Sequence, residues 1–447
     1  MTDPWTEARA ARLREIALTV LERTQELPWE VGHPAGKVTV RHVNQVNGGI
    51  FLQPKTPRQV WMGIERDDLL RIEELLSAWE QEMSDAYAWQ FERLAHVYVI
   101  ICTDLQELTE LNDEGDELGE SEAFVLPYLD SDDCRQLSFL LMIPYPQPFR
   151  SREAEVDWLL DVTVHELEHI WQFLTIGTDN VGAAWRDFSE MCAMKAEQSR
   201  HPGSRSFLDY GLAFQTRFPQ GVLSRQTVDG MIRVLDKVEN ARKTHPIYWY
   251  FPFLIQIDEK LKSACGLKDG CRAIWRQWRG TDGKVNSPWL LIDESLQKQG
   301  YSLSREWVSF CQAALRPNSA GCEVVGAMNG RFTTRAPSWR VDMQSTPPMT
   351  TLAFQSWPLG AHWVQFAGQG KGRRLNWGPP SSNGFVEIHM HDGNGGWSHL
   401  EVPGWEIPDN EPYDFLVIHT HLPSPTRVPD FYGTNISIAF EEPPIRR

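Results

Sequence analysis

Long apolar runs are missing from this chain of 447 residues, and none approaches the roughly 20 residues that cross a bilayer, so no membrane span is expected. Basic clusters are missing too. Lys and Arg number 43 against 60 Asp and Glu, and the formal net charge of −17 argues against a phosphate-backbone partner, so no nucleic acid is expected. Cysteine is sparse: seven residues, scattered from Cys102 to Cys322, odd in number and never in a C-x-x-C pair. That scatter excludes a paired-cysteine zinc or redox motif and reads as a reduced protein rather than a disulfide framework. The charged, amphipathic segment up to Leu27 lacks the apolar core and small-residue cleavage site of a secretory signal. The expectation is therefore a cytoplasmic protein, with secretion by another route left open. No phosphate-binding glycine loop and no internal repeat is present, and nothing in the sequence gives an oligomeric state.

What the chain does contain is His165-Glu166-Leu167-Glu168-His169, an H-E-x-x-H motif inside the apolar run from Trp158 to Leu174. On an α-helix, residues four apart share a face, so the two imidazoles can close on one metal ion. Glu166 follows the first histidine directly, which brings its carboxylate within reach of a water on that metal. Imidazole suits zinc, and an incomplete protein shell leaves room for the water. Ser151 is a candidate helix cap, Glu153, Glu155 and Asp157 suit the positive helix end, and Gly177 is a stop signal. A buried helix with two merely hydrogen-bonded histidines is the plain alternative. It has to bury two imidazoles and two carboxylates without a cation, which costs their hydration. The chemistry expected is metal-assisted hydrolysis of peptide bonds.

A third ligand has to come from elsewhere. Gln172 and Thr175 stand where H-E-x-x-H-x-x-G-x-x-H would place glycine and a third histidine, so that class is excluded. A second helix, expected over 183–198, carries Glu190, and the intervening residues allow it to return a carboxylate from an antiparallel neighbour. Ala193 is small enough for the helices to approach. Glu197 lies about two turns beyond Glu190 and can act behind the ligands, while Asp187 is an alternative third ligand. H-E-x-x-H followed by Ser189-Glu190-x-x-Ala193-x-x-x-Glu197 resembles the gluzincin branch of zincin metallopeptidases, the group to which thermolysin belongs. The resemblance implies His165, His169 and Glu190 as zinc ligands and Glu166 as general base. It also implies a Tyr or His opposite the zinc that stabilises the oxyanion. Tyr248 is the candidate, with Tyr250 and His245 behind it, against the alternative that the 248–253 aromatics pack a core.

The fold class expected is α+β: an N-terminal helix over 1–29, a zincin-like catalytic domain over 30–316 with a mostly helical lower half, a connection at 317–344, and a β-sandwich over 345–447. Alternating or apolar runs predict strands at 37–43, 96–102 and 136–143, with a long helix over 66–94. The strand at 136–143 is expected to form the cleft edge, where an extended peptide could pair, unless its continuous apolar run marks an interior strand. The segment from Asp104 to Asp133 has a dozen acidic residues and no Lys or Arg. It reads as a solvated loop, with calcium binding or attraction of basic substrates as alternatives, although EF-hand spacing is absent. In the C-terminal region, His389 with His391 and His419 with His421 each share a strand face, and all four could meet at a second metal if the strands are neighbours. The partner expected is a protein or peptide substrate. Two rival functions remain: an inactive zincin-fold interaction module, or a zinc amidase acting on cell-wall peptides.

Overall fold

Val38, Val40, Val97, Val99 and Ile101 are the β-branched residues that fit a pleated, buried surface, and they line the centre of a sheet. The computed structural model describes residues 7–22, 24–26, 35–43, 66–102, 123–129, 136–144, 152–176, 183–200, 251–265, 268–280, 288–315, 339–342, 350–356, 360–367, 373–377, 386–391, 396–407, 413–419 and 434–441. Helix and strand are mixed along it, which agrees with the α+β class. The chain begins with α1 (Glu7–Glu22), β1 (Thr24–Glu26), β2 (Val38–Val43), α2 (Arg66–Ala86), α3 (Ala88–Arg93), β3 (Leu94–Cys102), β4 (Phe124–Tyr128) and β5 (Leu137–Pro144). There follow α4 (Arg152–Ile176), α5 (Ala183–Arg200), α6 (Phe251–Cys265), α7 (Gly270–Gly280), α8 (Pro288–Gln297) and α9 (Leu303–Leu315). The rest is strand: β6 (Trp339–Asp342), β7 (Thr350–Ser356), β8 (Gly360–Ala367), β9 (Arg374–Trp377), β10 (Val386–His391), β11 (Trp397–Leu400), β12 (Trp405–Glu406), β13 (Tyr413–His419) and β14 (Thr434–Glu441).

Two compact units result, Met1–Asn180 with Cys192–Ser206 and Val181–Met191 with Phe207–Arg447; α5 runs unbroken across the division. In the first unit the sheet order is β1-β2-β3-β5-β4, with β2, β3 and β5 parallel and β1 and β4 antiparallel to their neighbours. The expectation that 136–143 forms the edge is corrected: β5 is paired on both sides, by β3 and by β4. Its unbroken buried run Phe139–Ile143 is the mark of a strand covered on both faces. Among the described strands the sheet ends at β1 on one side and at β4 on the other, and β4, beside β5, lies inside the segment read as an acidic loop. Pro127 is tolerated there because an edge strand can spare an N–H.

Period-two alternation divides the sheet faces. Ala17 and Val20 of α1 lie with Ile100, Tyr128, Leu140 and Met142 in one cluster. The other face receives α4, where Phe139 and Phe173 rings sit 6.2 Å apart. The long helix expected over 66–94 is broken at Tyr87, whose φ of −132° and ψ of 43° leave helical space. Tyr87 then sets its ring edge-on to Trp171, 5.6 Å between centroids, and Gln90 donates to the Thr175 hydroxyl at 3.2 Å. Arg93 caps the end of α4 by donating to the Leu174 carbonyl. The start of β2 is clamped in turn. Glu80 accepts from the Ala35 and Lys37 amides at 3.2 and 2.6 Å, and Lys37 Nζ donates to the Phe91 and Leu94 carbonyls. Burial lowers the Lys37 pKa from its ordinary value.

In the second unit, Phe253 of α6 packs against Trp289, Trp307 and Phe310 with centroids 6.1, 5.0 and 5.4 Å away. Trp185 and Phe188, at the start of α5, pack on Trp275 of α7. The strands form two sheets, β11-β10-β13-β8-β6 and β12-β9-β14-β7. Strand β6, inside the segment expected as a connection, pairs in parallel with β8. No helix among the described residues is long and apolar enough to cross a membrane.

Candidate metal centre

Helix α4 is 25 residues long and buries side chains around nearly its whole circumference, as its sequence predicts. Ser151 and Gly177, the expected cap and stop, lie outside the described residues. Leu159, Leu167, Ile170 and Trp171 are fully or almost fully enclosed, which fixes the rotation of the helix about its axis. That rotation puts His165 and His169 side by side, with ring centroids 4.8 Å apart and planes at 73°. Glu166, next to His165 in the chain, is 6% exposed, so its carboxylate is in a poorly hydrated setting.

Each imidazole is held by its Nδ1. His165 Nδ1 lies 2.8 Å from Glu197 Oε1, and His169 Nδ1 lies 3.0 Å from Gln172 Oε1. An oxygen acceptor at Nδ1 assigns the proton to that nitrogen in the neutral ring. Nε2 is then left with its lone pair, the arrangement a metal requires. Glu197 was anticipated behind the ligands. Gln172 was not, although its i,i+3 spacing from His169 on one helix is a signal the sequence does carry.

Helix α5 supplies Glu197 and also Glu190. The ligating atoms of His165, His169 and Glu190 all lie within 4.8 Å of one another. Donors about 2.0–2.2 Å from a tetrahedral ion stand roughly 3.3–3.6 Å apart, so small side-chain rotations bring this set into coordination. Ala193 is fully buried on the same helix. Two oriented imidazoles and one carboxylate fit a metal ion. The side chain of Asp187 lies outside the described residues, as do Tyr248, Tyr250 and His245. Most of the acidic segment, with its calcium alternative, lies outside them as well. The described part of the 248–253 aromatics, Phe251 and Phe253, is core.

The four-histidine cluster is corrected by strand register. His419 pairs with Val386, which places it on the sheet face opposite to His389 and His391; His421 lies outside the described residues. The position directly across from His389 is His399.

No protein-family model matches the chain, and no curated protein matches it. A solved structure with partial similarity is Salmonella Typhimurium PliG, a periplasmic lysozyme inhibitor of g-type lysozyme. It is 13% identical, over 23% of this chain and 96% of that one, with a TM-score of 0.17, too low to carry an argument.

Proposed function

We propose that this chain is a zinc-dependent hydrolase of peptide bonds, a gluzincin-like metallopeptidase. The observation that carries the reading is the convergence of the ligating atoms of His165, His169 and Glu190 within 4.8 Å, with Glu166, the residue after His165, buried. Nitrogen and carboxylate donors of this kind suit zinc. Bound there, zinc would supply Lewis acidity to the scissile carbonyl and acidify the attacking water. The chain's own groups do the rest. Glu166 takes the proton of the attacking water and afterwards delivers it to the departing amine, so one carboxylate is base and then acid. Glu197 and Gln172 keep both imidazoles in one tautomer and one orientation. The outer edge of β4 offers backbone groups to an extended substrate, giving affinity without side-chain preference. Tyr248 is the proposed donor to the developing oxyanion. The parallel sheet with its antiparallel edge, followed by the motif helix and the ligand helix, supports a zincin-like arrangement. The two strand-only sheets are the proposed β-sandwich.

Glu166→Gln tests the reading. The expected result is retention of zinc with cleavage of a mixed peptide library reduced on the order of 10²–10⁴-fold. If wild-type protein carrying zinc cleaves nothing in that library, the peptidase reading is lost. Cleavage of cell-wall peptide fragments alone would move the assignment to an amidase. Tyr248→Phe is expected to lower kcat with little change in KM; an unchanged kcat removes Tyr248 from the site.

A further inference from the structure

Register brings three other side chains together in the second unit. Glu387 and His389, two residues apart, share one face of β10, and His399 of β11 stands directly across the ladder from His389. Their ligating atoms lie within 4.8 Å of one another. The imidazoles of His389 and His399 stack with centroids 5.0 Å apart and planes at 24°. His389 Nε2 and Glu387 Oε2 are hydrogen-bonded at 3.0 Å, and an ion replacing the shared proton would need them to open to roughly 3.3–3.6 Å.

The other nitrogen of His389 is also engaged. Nδ1 lies 3.2 Å from the side-chain amide of Gln312 on α9. A half-turn of that amide presents its oxygen instead, and a donated Nδ1–H then leaves Nε2 as the ligating nitrogen. His389 is 6% exposed beside α9, Glu387 is half-buried and His399 is exposed, so the group reaches from the buried sheet face to solvent. His391 shares the face but packs on Trp397, 5.2 Å between centroids, and does not join. The grouping of Asp258, Asp269 and Cys271 does not compete as a metal site. Its carboxylates already accept the Gly270 and Arg272 amides at 2.9 Å, as capping groups of α7.

We propose that Glu387, His389 and His399 bind one zinc ion that pins β11, the end strand of its sheet, to β10. The site has three protein ligands, leaves one tetrahedral position to solvent beside exposed His399, and shares no residue with the centre on α4. Zinc content per chain, measured after dialysis against buffered free zinc, tests it in the full-length protein. Wild type is expected to hold two ions, His399→Ala one, and His165→Ala/His169→Ala one. His399 is exposed, so its replacement leaves the fold intact by circular dichroism. Glu387→Gln, which keeps the side-chain shape, is the second variant and is also expected to hold one ion. In the His165→Ala/His169→Ala protein, zinc is expected to raise Tm, and adding His399→Ala is expected to abolish that rise. The proposal is overturned if His399→Ala and Glu387→Gln hold as much zinc as wild type, or if His165→Ala/His169→Ala holds none. Neither result touches the peptidase reading, which stands or falls on Glu166.

Discussion

Glu197 and Gln172 each hold one imidazole of the candidate metal centre through its Nδ1. A hydrogen bond at Nδ1 selects the tautomer, stops the ring rotating and raises the basicity of Nε2. Removing the acceptor is expected to weaken metal binding without removing a ligand. Glu197→Ala should therefore lose about 10–100-fold in zinc affinity, read by competition with a chromophoric chelator, while Glu197→Gln recovers part of the loss. Equal affinity in Glu197→Ala and wild type would mean that the 2.8 Å contact only fills space. Glu190→Ala should hold markedly less zinc, and Asp187→Ala should hold as much as wild type. The opposite pattern would move the third ligand to Asp187.

At the level of elements, close approach matters more than propensity. Gly270 begins α7 where a Cβ would stand 2.5 Å from Leu261 Cβ and 2.9 Å from the Asp258 carbonyl oxygen, too near for any side chain without backbone movement. Its amide also donates to Asp258 Oδ1 at 2.9 Å. Gly270→Ala is expected to cost about 1–3 kcal/mol, measured by urea unfolding, although alanine favours helix more than glycine does. A variant as stable as wild type would show that α6 and α7 can separate without penalty. The same reasoning explains the strands. A continuous apolar run fits an interior strand, and β5 is interior. The edge strand β4 was hidden because its five residues sit between acidic stretches that dominate the local composition.

Over the whole molecule the excess of acid sets a long-range field. With a formal net charge of −17, cationic peptides approach faster than anionic ones, and salt screens the difference. The expected outcome is a kcat/KM for Lys-rich peptides that falls several-fold between low salt and about 0.5 M, with anionic peptides unaffected or improved. A salt response independent of substrate charge would rule out steering.

The motif helix and its two histidines were determined by the sequence alone, because i,i+4 spacing and an apolar surround are local properties that any helix expresses. Glu190 and Glu197 were legible for the same reason, as one face of one further helix. Three things waited for the tertiary structure: which strand is the edge, that Gln172 holds His169, and that His399 rather than His419 faces His389. Strand neighbours and register depend on long-range pairing, and a shift of one residue turns a side chain to the opposite face. Local spacing decided the candidate ligands on helices, and the ladder decided the candidate cluster on strands.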